Sequence, residues 1–180
     1  MQDKFLANRT ILLVEDERLV AKQVLRVLEG RGAKVLHCFS GEDALQTVAR
    51  ETVDVILMDI ELGPGRMDGV ETAEAILQNH DLPLLFISAH TGEEVIRKID
   101  RITSYGYIVK NTGAAVLLAS VKMALRLFES RREATGSTGR LQQLETQLQF
   151  VFQNIPVLFY TYEDGMGSTF YSPLSEDFLG

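Results

Sequence analysis

The sequence lacks features that are typical of disulfide-bonded, nucleic-acid-binding and membrane-spanning proteins. It has one cysteine in 180 residues, Cys38, so an internal disulfide is impossible, and the apolar neighbours of Cys38 indicate a buried strand thiol. Its formal net charge is −7, whereas nucleic-acid-binding domains usually carry a basic patch. No segment approaches the roughly 20 apolar residues of a membrane span. We therefore expect no nucleic-acid or membrane partner, and a reducing, cytoplasmic location by default.

Short apolar segments alternate with helix-like segments between residues 10 and 132. The apolar segments are rich in aliphatic and β-branched residues, which is typical of strands buried on both faces. Between them, apolar residues recur at helical spacing, as in Ala21, Val24 and Leu28. This alternation predicts an α/β fold with a five-stranded, doubly wound parallel sheet. The predicted strands include residues 11–14, 35–36, 53–58, 84–87 and 107–109.

Polar residues follow four of these strands. Glu15 and Asp16 follow the first, Asp59 the third, Ser88 the fourth and Lys110 the fifth. Parallel sheets gather their chemistry at the carboxyl ends of the strands. Converging carboxylates repel one another, and Mg²⁺ is the natural counter-charge because it prefers oxygen ligands. A carboxylate nucleophile, Mg²⁺, an amine and a hydroxyl together predict a phosphoryl-transfer site.

The same segments resemble the receiver domain of response regulators in two-component signalling. Residues 11–17 are similar to its first strand and acidic pair, and residues 56–60 to its phosphoacceptor strand. The following loop (residues 64–69), the hydroxyl position (87–89) and the aromatic and lysine strand (106–110) also resemble the family. All of these motifs occur in the family's order. The resemblance implies the flavodoxin-like receiver fold.

The resemblance also implies a phosphoacceptor and a Mg²⁺ cofactor. Asp59 would take a phosphoryl group from a phosphohistidine on a sensor histidine kinase or phosphotransfer protein. Asp16 and Asp59 would bind Mg²⁺ directly, and Glu15 directly or through a water. The backbone carbonyl of Glu61 would be a further ligand. The chain would then be a signalling switch whose only reactions are its own phosphorylation and slow autodephosphorylation.

Three more site residues follow from the resemblance. Lys110 would pair with Asp59 and later with a phosphoryl oxygen, and Ser88 would hydrogen-bond another phosphoryl oxygen. Tyr107 would move between exposed and buried rotamers. The alternative interpretation is that Tyr107 is an aromatic residue packed within its strand, without a switching role. Phosphorylation would then change the surface around residues 95–128, which with the linker helix would form a homodimer.

Three positions of the sequence depart from the family's pattern. The acidic pair is Glu15-Asp16, where Asp-Asp is commoner. Asn111 stands where the family usually has proline. A cis bond without proline costs roughly 2.5–4 kcal/mol, so we expect a trans bond after Lys110. The loop over residues 62–68 is about two residues longer than usual, which loops tolerate.

The residues after 133 predict a linker and part of a second domain. From Leu141 to Ile155, apolar residues recur at spacings of 3, 4, 3 and 4. This pattern favours either a short coiled coil or one amphipathic helix packed on a neighbouring domain. Two strand-like segments follow Pro156. Residues 154–157, together with 171–173, Glu176 and 179–180, resemble the start of a PAS sensor domain that we expect to be incomplete. The expected division is a receiver at 1–133, a linker at 134–153 and a PAS segment at 154–180.

Two other functions remain open from the sequence. A Mg²⁺-dependent phosphohydrolase with an aspartyl nucleophile would resemble Asp-x-Asp, whereas this chain has Asp59-Ile60-Glu61. A non-phosphorylated scaffold beside a PAS ligand sensor would fold normally without binding Mg²⁺. A transition-metal site is not predicted, because the three histidines have no partner at helical spacing; they are His37, His80 and His90.

Overall fold

The computed structural model describes residues 5–63, 67–89, 102, 104–133, 158–163 and 166–171. Its strands are β1 (Thr10–Val14), β2 (Lys34–Cys38), β3 (Val55–Asp59), β4 (Leu84–Ser88), β5 (Tyr107–Val109), β6 (Leu158–Glu163) and β7 (Met166–Tyr171). The helices in these ranges are α1 (Arg18–Glu29), α2 (Gly41–Arg50), α3 (Gly69–Leu77) and α4 (Ala114–Glu133). Two predicted helices lie outside the described residues: the one after Thr91, apart from Ile102, and the linker helix.

The first five strands form a parallel sheet in the order β2-β1-β3-β4-β5. This confirms the predicted five-stranded parallel arrangement. The chain runs from β1 outward to β2 and then returns past β1 to β3, so the direction of winding reverses between β1 and β3. Ligands of doubly wound sheets bind at such a reversal, outside the carboxyl ends of the strands.

The sheet separates two apolar cores. One core contains residues of α2 and α3 together with Leu12 and Val14 of β1. The other contains residues of α1 and α4 together with Ile11 and Leu13. Successive strand residues point to opposite faces, so an unbroken apolar strand supplies both cores. This double burial is the reason for the short apolar runs in the sequence.

A close backbone approach fixes the start of α3. Asp68 caps the helix by accepting from the amide of Glu71 at 2.8 Å, and the Glu71 carboxylate accepts from the amide of Asp68 at 3.1 Å. The next residue, Gly69, lies against β3: a Cβ there would be 1.8 Å from the carbonyl oxygen of Asp59. Only glycine therefore lets α3 begin against the end of the strand that carries Asp59.

Two further strands extend the sheet beyond the predicted five. β6 and β7 pair antiparallel with each other, and β6 joins β5 through the pair Tyr107–Leu158. The sequence predicts strands near both places but assigns them to a separate PAS segment. In a five-stranded sheet β5 would be an edge strand, whose backbone groups can accept another strand. Within the described ranges, no helix has both the length and the apolar character needed to cross a membrane.

Candidate functional site

Three carboxylates converge where the winding of the sheet reverses. One oxygen each from Glu15, Asp16 and Asp59 lies within 4.8 Å of the others. Asp59 ends β3 and Glu15 directly follows β1, and both are buried, with 2% and 0% of their surface exposed. Asp16 is exposed, and its Oδ2 accepts from the amide of Gly63 at 3.1 Å. The structure therefore brings together the three acids that the sequence predicts to meet.

Lys110 is the cation of this cluster. Its Nζ donates to Oδ2 of Asp59 at 2.8 Å and to Oε1 of Glu15 at 3.0 Å. Its own amide donates to the carbonyl of Ser88 at 2.7 Å, which ties the end of β5 to the end of β4. Nζ also lies 2.9 Å from Oε2 of Glu15, yet this buried oxygen accepts no hydrogen bond from the described residues. One ammonium thus contacts two of the three carboxylates.

Burial changes the pKa values of these groups. It raises the pKa of Glu15 to about 7, although the hydrogen bond from Lys110 acts in the opposite direction. It also raises the pKa of Asp59, again against the effect of Lys110. Burial by itself lowers the pKa of Lys110, but its hydrogen bonds to Asp59 and Glu15 outweigh this and the pKa is raised. The positive charge of Lys110 therefore does not fully offset the effect of burial on the two carboxylates.

This donor set is compatible with Mg²⁺. It offers carboxylate oxygens from Glu15, Asp16 and Asp59 in one small region, and hard divalent cations prefer such ligands. The buried Oε2 of Glu15 is in an ion pair with Lys110 but accepts no hydrogen bond from the described residues, so it has a lone pair available to a cation. The amide of Glu61 donates to Oδ1 of Asp59 at 3.2 Å, while the role of the Glu61 carbonyl as a ligand stays a prediction.

Ser88 and Tyr107 lie beside the acidic cluster on neighbouring strands. Ser88 ends β4, one residue beyond Ile87, which is paired with Asp59 in the sheet register. Tyr107 begins β5 and is buried. Burial raises the pKa of Tyr107, and a side-chain hydrogen bond with Ser88 lowers it. The structure therefore places Tyr107 in a buried rotamer in contact with Ser88, and its role as a switch stays a prediction.

The backbone after Lys110 follows the expectation from the sequence. The described peptide bonds, including Lys110–Asn111, are trans. Asn111 has φ 67° and Gly113 has φ 90°, a region that asparagine and glycine enter at low cost. Proline could not occupy position 111 in this conformation, because its ring fixes φ near about −65°. The loop after Lys110 therefore follows a path that proline at position 111 would not allow.

Several contacts of the site are not indicated by the sequence motifs. His37, in β2, places its Nε2 2.9 Å from the backbone carbonyl of Glu15. The amide of Gly63 binds Asp16, and Gly69 packs against Asp59. A histidine within an apolar strand next to β1 was an available signal for the first contact. The other two depend on the path of the β3–α3 loop, which the sequence does not define.

The raised pKa of Glu15 predicts how stability depends on pH in the metal-free protein. A carboxyl group with a higher pKa in the folded state contributes stability below its unfolded pKa of about 4.5, and this contribution is lost as pH rises through about 7. From pH 5 to pH 8 we expect the free energy of unfolding to fall by at most about 3 kcal/mol through Glu15. Urea unfolding with a chelator present measures this change.

Glu15→Gln is the matched variant for this measurement. The amide does not ionise, so we expect a flatter pH dependence than in the wild type, with the remaining slope due to Asp59, whose raised pKa acts in the same direction. If the two proteins had the same slope between pH 5 and pH 8, Glu15 would not be the group responsible.

The fold and the site together define a class of protein. A doubly wound sheet with an acidic cluster and a lysine at its reversal point is the architecture of receiver domains. Residues 11–122 match the family model described as the response regulator receiver domain. The chain belongs to this family, and this part of it is the receiver of a two-component response regulator. Receivers as a kind interact with histidine kinases or phosphotransfer proteins.

Two solved structures are similar to the chain. One is the N-terminal domain of a response regulator/sensory box/GGDEF 3-domain protein from Carboxydothermus hydrogenoformans, which is 45% identical, with 68% of this chain and 98% of that chain covered and a TM-score of 0.64. The other is the signal receiver domain of a modulated diguanylate cyclase from Desulfovibrio desulfuricans G20, at 32% identity, 68% and 97% coverage, and a TM-score of 0.63.

Curated relatives are more distant and longer. The transcriptional regulatory protein YvrH of Bacillus subtilis is 28% identical over an alignment of 138 residues that covers 73% of this chain and 55% of the relative. The uncharacterized transcriptional regulatory protein YcbL of the same organism is 27% identical over 148 residues, 78% of this chain and 62% of that protein. The chain therefore spans little more than half the length of these two relatives.

Proposed function

We propose that Asp59 is the phosphoacceptor of this receiver and that Mg²⁺ is its cofactor. The donor would be a phosphohistidine on a sensor histidine kinase or phosphotransfer protein. Glu15, Asp16 and Asp59 would hold the Mg²⁺ with their carboxylates, and Glu61 with its backbone carbonyl. One observation carries the proposal: the buried Asp59 carboxylate contacts Lys110 at 2.8 Å and lies within 4.8 Å of two further carboxylates.

The reaction is the transfer of a phosphoryl group from nitrogen to oxygen. A carboxylate oxygen of Asp59 attacks phosphorus, the phosphorus–nitrogen bond of the phosphohistidine breaks, and its electron pair stays on the imidazole. Bound Mg²⁺ supplies positive charge that offsets the carboxylates and the phosphoryl oxygens. Lys110, which contacts Asp59 at 2.8 Å, would bind a phosphoryl oxygen after transfer. The product is an acyl phosphate on Asp59.

The hydrogen bond between Ser88 and Tyr107 links the chemistry to the surface. In our proposal the Ser88 hydroxyl donates to a phosphoryl oxygen after transfer. It would then move toward Asp59, and its contact with Tyr107 would change. The surface formed by residues 95–128, around Tyr107, would change as a result. A homodimer would form through this surface and the linker helix. The added charge would shift the equilibrium between two conformations of the receiver, as phosphorylation generally does.

The segment after residue 133 would carry the signal onward. We propose a receiver over residues 1–133, a linker with an amphipathic helix over 134–153, and the start of a PAS domain over 154–180. The C. hydrogenoformans relative supports this arrangement, since it is the N-terminal domain of a response regulator/sensory box/GGDEF 3-domain protein. The described hairpin of β6 and β7 is compatible with the first strands of such a domain. We place the protein in the cytoplasm, where its phosphodonors would be.

Phosphorylation by a small donor tests the proposal. The 180-residue chain is incubated with acetyl phosphate, with Mg²⁺ or with a chelator, and labelled peptides are identified by mass spectrometry. We expect one phosphoryl group, on Asp59, in the presence of Mg²⁺ and almost none without it. A folded protein that binds no Mg²⁺ and takes no label would favour the scaffold. Continuous hydrolysis of p-nitrophenyl phosphate would favour the phosphohydrolase.

A further inference from the structure

We propose that His37 is a positioning residue for the metal-binding acidic pair, an inference that rests on the proposed function. Its Nε2 lies 2.9 Å from the backbone carbonyl oxygen of Glu15. A carbonyl oxygen only accepts hydrogen bonds, so Nε2 must carry the hydrogen and donate it. His37 is thus a side chain from β2 that binds the backbone of the loop after β1.

The peptide group that His37 binds is the one that joins the two acids. Its carbonyl belongs to Glu15 and its amide to Asp16. Because the peptide group is planar, its orientation sets ψ of Glu15 and φ of Asp16 together. The peptide group before it is also held, since the amide of Glu15 donates to the carbonyl of Cys38 at 3.0 Å. Two consecutive peptide groups are therefore attached to the end of β2.

The imidazole is held by its own neighbours. The ring of Phe39 lies 4.2 Å from the His37 ring between centroids, tilted by 52°. The guanidinium of Arg18 lies 5.8 Å from the Phe39 ring, within the range of cation–π attraction. Phe39 keeps 41% of its surface exposed, which is unusual for so large an apolar side chain. It therefore lies between the imidazole and solvent. This packing limits rotation of the hydrogen-bond donor.

Asp16 is the acid that depends most on this backbone contact. Glu15 and Asp59 are both fixed by Lys110 through their side chains. Asp16 is exposed, and its carboxylate accepts a hydrogen bond from the amide of Gly63. No lysine contact to Asp16 is present among the described residues, so its position depends on the bond from Gly63 and on the peptide group that His37 holds. Loss of the donor should weaken Mg²⁺ binding while the nucleophile Asp59 keeps its place.

The test compares His37→Phe, which keeps a ring but has no donor, with His37→Gln, which keeps an N–H donor. His80→Phe is the control, because His80 lies after α3 at the opposite end of the sheet. Mg²⁺ binding is measured by calorimetry without phosphodonor. We expect the Kd to rise roughly tenfold in His37→Phe, as is typical when a partner of a metal ligand is lost. His37→Gln should recover most of the affinity, and His80→Phe should match the wild type.

Phosphorylation by acetyl phosphate gives a second readout. In His37→Phe we expect half-maximal labelling to need roughly tenfold more Mg²⁺, in line with the expected rise in Kd. The maximal rate of labelling should change little. An equal fall in rate at every Mg²⁺ concentration would instead indicate general damage and would overturn the positioning role. A wild-type protein that neither binds Mg²⁺ nor takes label would defeat the proposed function itself, which is a separate outcome.

A measurement on the wild-type protein tests the hydrogen bond of His37 directly, even if the His37→Phe variant does not fold. Nitrogen-15 NMR of the metal-free protein identifies which ring nitrogen of His37 carries the hydrogen. We expect Nε2 to carry it, protected from exchange with water by its bond to the Glu15 carbonyl. A neutral ring with hydrogen on Nδ1 alone would overturn the inference.

Discussion

The Asp59→Asn protein is expected to take up no phosphoryl group under conditions that label the wild type fully. An amide oxygen has neither the charge nor the nucleophilicity of a carboxylate. Asp59 is the buried acid whose Oδ2 contacts Lys110 at 2.8 Å, so its replacement removes the attacking atom and leaves the other acids in place. Labelling with acetyl phosphate and intact-mass measurement gives the answer directly.

The fold should survive this substitution. Burial raises the pKa of Asp59 because its charge is poorly solvated, so removing the charge should maintain or increase the free energy of unfolding of the metal-free protein at pH 8. Asp81→Asn is the matched control, since Asp81 is exposed and pairs with Arg131 far from the acidic cluster. We expect it to be labelled as the wild type is. Stable labelling of Asp59→Asn would mean that another residue is the phosphoacceptor.

Lys110→Met should have the largest effect on stability. The substitution keeps the length of the side chain and removes the ammonium, which leaves the buried carboxylates of Glu15 and Asp59 without their cation. Removing one partner of a buried ion pair costs about 3–5 kcal/mol. We expect this loss at pH 8 with a chelator present, and a smaller one at pH 5, where Glu15, whose pKa is about 7, is protonated. The raised pKa of Asp59 acts in the same direction. Urea unfolding at the two pH values measures it.

An exposed lysine in the same protein provides the control for Lys110→Met. Lys34 pairs with Glu51 at 3.3 Å, but their side chains are 61% and 48% exposed. Lys34→Met should change the free energy of unfolding by less than about 1 kcal/mol, because water screens such pairs. Mg²⁺ should restore part of the stability of Lys110→Met and none of the small loss in Lys34→Met. Equal losses in the two variants would contradict the account of Lys110 as a buried counter-charge.

The sequence was sufficient for the general architecture and for the acidic cluster. Short apolar runs followed by Glu15-Asp16, by Asp59 and by Lys110 define strands whose carboxyl ends must meet in a parallel sheet. Each run is a local pattern, so it can be identified without knowledge of distant contacts. The trans bond at Asn111 also follows from local chemistry, since only proline makes the cis form inexpensive.

Other features were decided by the tertiary structure alone. It determined that Lys110 contacts Glu15 and Asp59, that His37 binds the carbonyl of Glu15, and that Gly69 packs against Asp59. It also added β6 and β7 to the edge of the sheet. These contacts join segments that are distant in the chain, and they depend on strand register and helix placement. A shift of one residue in a strand reverses the direction of its side chains, so only the folded packing determines such contacts.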